Sequence, residues 1–96
     1  MGSPLELIKI LSDATRLRLL ALLRKEPLSV VELQEILDMG QSRISSHLAL
    51  LRQAGLVEDR REGKKSIYSI IHPTDPALSG IFRAALEALD TDPDPV

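Results

Sequence analysis

The chain contains no cysteine among its 96 residues. It therefore has no thiol for a disulfide, a thiolate metal site or a cysteine nucleophile, and it needs no oxidising compartment to fold. Aromatic residues are also scarce, at 2% of the chain against 44% hydrophobic residues in total. The core must therefore consist mostly of leucine, isoleucine, valine and alanine, which favours a helical domain.

Long apolar runs are absent too. None approaches the roughly 20 residues that a membrane-spanning helix needs, and Met1–Pro4 lacks the basic start of a signal peptide. We therefore expect a soluble, cytoplasmic protein. The length suits one domain with a small core, to whose stability a partner surface would add, so self-association is expected.

Neither sign of charge is in large excess, since 12 Lys/Arg face 14 Asp/Glu. The distribution is uneven, however. Residues 41–65 carry six Lys/Arg against three Asp/Glu, whereas residues 66–96 carry one against five. A positive middle segment beside an acidic end would orient the protein on a polyanion such as DNA.

Apolar spacing and capping signals predict two helices in the first quarter of the chain. The first follows Pro4, a residue favoured in the first helical turn, and ends before Ser12. The second spans residues 14–24, with Ser12 or Asp13 as its cap, and Pro27 prevents its continuation. Because leucines occur on most of its sides, this helix is expected at the centre of the core.

Two further helices are predicted on either side of a tight turn. Ser29 and Glu32 have the spacing of a capping box for a third helix, which stops at residues 38–40. A fourth helix runs from residue 41 to residue 54, and Gly55 follows where a left-handed C-cap belongs. The residues that these two helices are expected to bury are Val30, Leu33, Ile36, Leu37, Ile44, Leu48 and Leu51.

The pattern then becomes extended. Residues 57–61 and 66–71 flank Glu62-Gly63-Lys64-Lys65, which predicts a β-hairpin with a basic tip. Asp75 and Pro76 supply a cap and a first-turn proline for a last helix that ends near Asp90. We expect residues 91–96 to be a disordered tail or linker.

This order predicts a mainly α fold with a small β-hairpin, a winged helix-turn-helix of about five helices plus a two-stranded wing, in residues 1–90. The fourth helix would enter the major groove of DNA, where Arg43 could pair with guanine, and the wing would contact phosphates. An ordinary solvated helix face and an ordinary charged hairpin are the alternatives. The residues expected to contact DNA are Gln41, Ser42, Arg43, Ser45, Ser46, His47, Arg60, Arg61, Lys64 and Lys65.

Three polar residues have structural interpretations. Arg16 lies before the helix-turn-helix, so we expect it to form an ion pair or a cap contact. His47, besides contacting phosphate, could be a half-buried helix residue with hydrogen bonds. His72 is expected to end the second wing strand.

Four segments together resemble the ArsR/SmtB-type bacterial repressors: SDATRLRLL from Ser12, QSRISSHL from Gln41, LRQAGLV from Leu51 and REGK from Arg61. The resemblance implies a homodimer, joined through the first and last helices, that binds a palindromic operator in double-stranded DNA. The residues that would form its interface are Leu5, Ile8, Leu78, Ile81, Phe82, Ala85, Leu86 and Leu89.

The chain departs from this family at three places. Ser46 stands where many members have a basic residue, residues 28–33 lack the cysteine pair of the metal-sensing members, and residues 75–90 contain no histidine. We therefore predict no metal site and no cofactor. Any effector would be a non-metal signal of unknown identity.

These observations predict a sequence-specific transcriptional regulator, a homodimeric repressor released by a non-metal signal. Without cysteine or clustered histidine, the scattered carboxylates assemble no catalytic site, so an enzyme is not expected. The alternative is a winged-helix regulatory or protein-interaction module, such as the N-terminal part of a longer enzyme. The acidic Asp-Pro segment at the end of the chain favours that alternative.

Overall fold

A computed structural model of the chain describes residues 3–91, and describes side chains through residue 90. The elements are α1 (Pro4–Leu11), α2 (Ala14–Lys25), β1 (Leu28–Ser29), α3 (Val30–Leu37), α4 (Gln41–Gln53), β2 (Val57–Glu62), β3 (Lys65–Ile70) and α5 (Pro76–Thr91). The predicted winged helix-turn-helix is confirmed. The predicted tail lies outside the described residues except for Thr91, which ends α5.

Local capping fixes where the helices begin. The Ser29 hydroxyl accepts the Glu32 backbone N–H at 3.2 Å, and the Glu32 carboxylate accepts the Ser29 backbone N–H at 2.8 Å. This is the predicted capping box. Of the two candidate caps for α2, the structure uses Asp13, whose carboxylate accepts a first-turn N–H at 3.1 Å. Asp75 caps α5 in the same way.

The sheet has one strand more than predicted. β1 pairs antiparallel with β3, with Leu28 opposite Tyr68, so the strand order is β1-β3-β2. A strand of two residues is too short to show alternation in sequence. The hairpin turn is also tighter than predicted, because Glu62 pairs with Lys65 and leaves only two residues in the loop. Gly63 takes the positive φ of 63° that such a loop requires.

The core is centred on α2, as its many leucines predict. Leu19, Leu20 and Leu23 are buried, and α2 contacts α1, α4, α5 and β3. Phe82, from α5, is the one phenylalanine in the chain and is also buried. No helix in the described part of the chain is long and apolar enough to cross a membrane.

Two expectations about burial need correction. Ile36 was expected to be buried but is 52% exposed, because it lies at the rim of an open groove between α2, α3 and α5. In α5, three of the predicted interface residues, Leu78, Phe82 and Leu86, are buried inside the chain itself. A small domain needs that apolar stripe to complete its own core.

The remaining predicted interface residues keep some exposure. Leu5 is 76% exposed and Ile8 is 48% exposed, both on α1. α1 packs against α5, on which three further residues are half-buried. These are Ile81, Ala85 and Leu89.

The Ser29–Glu32 capping box makes a prediction for stability. Ser29→Ala should lower the free energy of unfolding by about 1–2 kcal/mol, because it leaves a backbone N–H of α3 without an acceptor. Urea denaturation measures this loss. Ser46→Ala, at an exposed serine of α4, is the control and should change stability by less than about 0.5 kcal/mol. Equal effects of the two substitutions would contradict this role of the cap.

Candidate nucleic-acid interface

The turn between α3 and α4 consists of Asp38, Met39 and Gly40. Asp38 adopts a left-handed conformation with φ of 52°, which aspartate tolerates better than most residues. The Met39 N–H donates to the Gln34 carbonyl at 3.2 Å and so closes α3. α3 and α4 pack on each other, in the arrangement of a helix-turn-helix.

α4 has one buried face and one polar face. Ile44, Leu48 and Leu51 are completely buried. Because they follow one another at helical spacing, the opposite face of the first two turns points outward. Of the predicted DNA contacts on α4, Gln41, Ser42, Arg43 and Ser46 are exposed, whereas Ser45 and His47 are half-buried.

The exposed face offers several hydrogen-bonding groups to a ligand. The Gln41 amide donates to the Ser45 hydroxyl at 2.8 Å, so these two side chains are oriented together. Arg43 has no hydrogen bond or ion pair to other residues between 3 and 91. Its guanidinium therefore remains available for a bidentate contact with a base or a phosphate.

Arg16 links the beginning of the chain to α4. Its Nε donates to the Ile10 carbonyl at 2.8 Å, and its Nη1 lies 3.4 Å from Nδ1 of His47 and 4.0 Å from the Asp13 carboxylate. Since arginine only donates, Nδ1 of His47 is the acceptor in this contact. The predicted structural role of Arg16 is confirmed. The geometry favours the same role for His47, whose contact with DNA stays a prediction.

The residues around Asp13 lower the pKa of its carboxyl group. Burial raises the pKa of Asp13, but the Arg16 backbone N–H and the Arg16 guanidinium lower it below its ordinary value. The folded state therefore favours the ionised carboxylate.

An ion pair that the sequence did not predict joins α4 to the wing. Nη1 of Arg52, in the last turn of α4, lies 3.2 Å from the Asp59 carboxylate of β2. Tyr68 lies opposite Asp59 on β3, and burial together with the Asp59 charge raises the pKa of Tyr68. The sequence signal was one opposite-charge pair spanning the Gly55 turn, too weak to distinguish from other pairs.

The four predicted wing residues are all exposed, but they differ in their partners. Arg60 pairs with Glu62 at 2.7 Å, and Glu62 also lies opposite Lys65 in the strand register. Arg61, Lys64 and Lys65 have no ion pair within residues 3–91. The wing therefore presents three cations without a partner in this part of the chain, and Lys64 is in the hairpin turn.

Arg61 is placed on the side of the wing that faces α4. Arg61 is two residues after Asp59 on β2, so both side chains lie on one face of the sheet. Asp59 is the residue that pairs with Arg52 of α4. The structure therefore places Arg61 on the same face of the wing as Asp59 and Arg60 on the opposite face.

The titratable residues away from this surface are dispersed. Within residues 3–91, no three His, Asp or Glu side chains come together in a group that could hold a metal ion. His72 follows β3, and its ring contacts Phe82 edge-on at a centroid distance of 5.7 Å.

Comparisons with known proteins agree on one family. The model of the arsR family of bacterial regulatory proteins matches residues 13–59. The chain is 40% identical to the arsenic resistance transcriptional regulator ArsR1 of Pseudomonas putida, over 94% of this chain and 74% of that protein. Reduced HlyU from Vibrio cholerae has a similar structure, with a TM-score of 0.72 at 32% identity over 90% of this chain and 86% of that one.

A third relative is described as a dimer. The homodimeric winged helix-turn-helix DNA-binding domain Mb0332 from Mycobacterium bovis matches with a TM-score of 0.70 at 27% identity, over 92% of this chain and 79% of that one.

The lowered pKa of Asp13 makes a prediction for acid stability. A carboxylate whose pKa is lower in the folded state stabilises the fold above its unfolded pKa of about 3.9, and that stability is lost as the pH falls through the folded value. Asp13→Asn keeps a side chain that can cap α2 but cannot titrate. Its free energy of unfolding should fall less steeply than that of the unmodified chain below about pH 5. Parallel pH profiles would contradict the proposed tuning.

Proposed function

The chain belongs to the ArsR family of bacterial regulatory proteins, and from this premise we propose that it is a homodimeric repressor that reads a palindromic operator. The observation that carries this proposal is the exposed face of α4 that contains Arg43, on the side of the helix opposite its buried apolar stripe. Residues 1–90 would form the DNA-binding and dimerisation domain. Bacterial DNA lies in the cytoplasm, where such a repressor would act.

The proposed contacts differ in kind. Gln41, Ser42, Arg43 and Ser46 would reach base edges or phosphates from the first two turns of α4, with Ser45 orienting Gln41. Arg61 and Lys64 would contact phosphates and add a salt-dependent term. Lys65, which like them has no ion pair within residues 3–91, would do the same. Arg60 is paired with Glu62 and His47 contacts Arg16, so these two would contribute less.

The dimer is supported by the exposed apolar residues of α1. Leu5 and Ile8 would be covered by a second copy, together with the half-buried Ile81, Ala85 and Leu89. The relative from Mycobacterium bovis is described as homodimeric. A dimer would present two α4 helices to successive major grooves, about 34 Å apart.

A non-metal signal is supported by composition. The relative ArsR1 is named for arsenic resistance, but this chain has no cysteine to offer a thiolate. Thermal unfolding in the presence of metal ions tests this part, because a ligand of the native state raises the midpoint. A large shift with zinc or nickel would contradict it.

The family favours a regulator over a module of a longer enzyme. Fluorescence anisotropy with DNA from upstream of its own gene tests the function directly. Binding should be at least about a thousandfold tighter than to random duplex at the same salt concentration. Equal binding to both would refute specific regulation.

Substitution of Arg43 tests its proposed contact with a base. Arg43→Ala should weaken binding to the preferred site by about 1–3 kcal/mol and relax the preference at one base position. Arg83→Ala removes the same charge from an exposed site on α5 and should leave binding unchanged. An equal loss on every DNA sequence would make Arg43 a phosphate contact instead.

Substitution of an exposed residue of α1 tests the proposed dimer interface. Leu5→Glu, at an exposed residue, should convert the dimer to single chains in sedimentation experiments without unfolding them. Operator affinity should then fall on the order of a hundredfold, because the two half-sites no longer bind as one ligand. Val31→Glu, at an exposed residue of α3, is the control. A Leu5→Glu variant that stays dimeric would place the interface elsewhere.

A further inference from the structure

An open groove of about 350 Å³ lies where α2, α3 and the end of α5 meet. None of its lining residues belongs to α4 or the wing. Its wall is formed by apolar side chains from all three helices: Ala21, Leu22, Leu37 and Leu89. A volume of this size lies at the lower end of the range for small-molecule sites.

Arg18, at one end of the groove, differs from the other arginines. Among residues 3–91, three arginines are half-buried, namely Arg16, Arg18 and Arg24. Arg16 bonds to the Ile10 carbonyl and Arg24 pairs with Asp90 at 2.7 Å. Arg18 alone of the three has no hydrogen bond or ion pair in this part of the chain. A guanidinium partly withdrawn from water and left without an acceptor favours an anionic ligand.

The charges around the groove favour the same ligand. Lys25 lines it two helical turns after Arg18, about 10 Å along α2, and also has no ion pair within residues 3–91. The one carboxylate in the lining, Asp90, is already paired with Arg24. The groove thus presents two unpaired cations separated by an apolar wall.

We propose that this groove binds a small organic carboxylate with an apolar body. The Arg18 guanidinium would hold the carboxylate through two parallel hydrogen bonds. The apolar body would lie on Ala21, Leu22 and Leu37, and would cover Ile36, which is 52% exposed at the rim. An inorganic anion would satisfy Arg18 but leave this wall in water, so it fits less well.

Octanoate is a suitable probe of the site. Titration of the purified full chain, followed by amide chemical shifts, should show saturable changes at groove residues of α2, α3 and α5 and none on the exposed face of α4. The melting temperature should rise with octanoate concentration, since the ligand binds the native state. Octan-1-ol and inorganic phosphate, which each carry one half of the chemistry, should bind at least about tenfold more weakly.

Substitutions distinguish the proposed role of Arg18 from a general effect of positive charge. Arg18→Gln should weaken octanoate binding about tenfold or more, and Arg18→Lys should weaken it less because the charge remains. Arg83→Gln, at an exposed arginine of α5 outside the groove lining, should leave it unchanged. Should Arg18→Gln fail to fold, Lys25→Gln combined with Arg18→Lys gives a second test, with a loss larger than for Arg18→Lys alone.

Four outcomes of the binding experiments would overturn the site. These are the absence of saturable shifts, equal binding of octan-1-ol, equal binding of phosphate, and unchanged binding by Arg18→Gln. Loss of the dimer in an Ile36→Ser variant would also overturn it, by assigning the groove to contact with a second copy.

A role of this site in regulating DNA binding rests on the proposed function. It is tested by a separate experiment. Because α3 lines the groove and leads directly into α4, octanoate should change operator affinity in anisotropy measurements, and DNA should change octanoate affinity by the same factor. Octanoate binding without such a change would remove the regulatory role and leave the site. Absence of DNA binding would refute the proposed function without affecting the titration.

Discussion

Complete burial of Ile44, Leu48 and Leu51 is the constraint on which the functional surface depends. These residues form one stripe along α4 and pack into a core built around the leucines of α2. A helix anchored along one stripe has its rotation about its own axis fixed. The identity of the exposed residues, Arg43 among them, is therefore a consequence of which residues are buried.

Polar contacts refine the position of α4 but do not hold it in place. Arg16 contacts His47 in the middle of the helix, and Arg52 contacts Asp59 at its end. The second pair is largely exposed on the Arg52 side, and such pairs contribute about 0–1 kcal/mol. Each fully buried leucine or isoleucine contributes about 1.5–3 kcal/mol. The apolar stripe thus supplies the stability, while the Arg16 contact orients the middle of α4 and the Arg52 contact orients its end beside the wing.

The features that the sequence predicted correctly are those determined by neighbouring residues. The capping box of Ser29 and Glu32, the left-handed Gly55 and the turn at Gly63 all depend on residues a few positions apart. Long-range features could not be predicted in this way. The two-residue strand β1 exists only because β3 lies beside it, and the Arg52–Asp59 pair requires the wing to fold back on α4.

The same limit explains the errors about apolar surface. Periodicity marks the apolar stripe of α5 but does not show what covers it, and the chain itself buries Leu78, Phe82 and Leu86. Ile36 has the spacing of a core residue yet is exposed, because it lies at the rim of the groove between α2, α3 and α5. For the candidate DNA contacts, the sequence identified the polar positions. Only the structure showed that Ser45 is half-buried and that Arg60 is paired, and it favours the half-buried interpretation of His47 over the contact with phosphate.

The most direct test of this account is to map the surface of the protein that DNA contacts, by following backbone amide signals as an operator duplex is added. We expect the largest changes at Gln41, Ser42, Arg43 and Ser46 of α4 and at the wing turn around Lys64, and smaller changes at the amides of the buried Ile44, Leu48 and Leu51. Changes centred on α3 or α5, with the exposed face of α4 unaffected, would contradict the assignment of α4 as the reading helix.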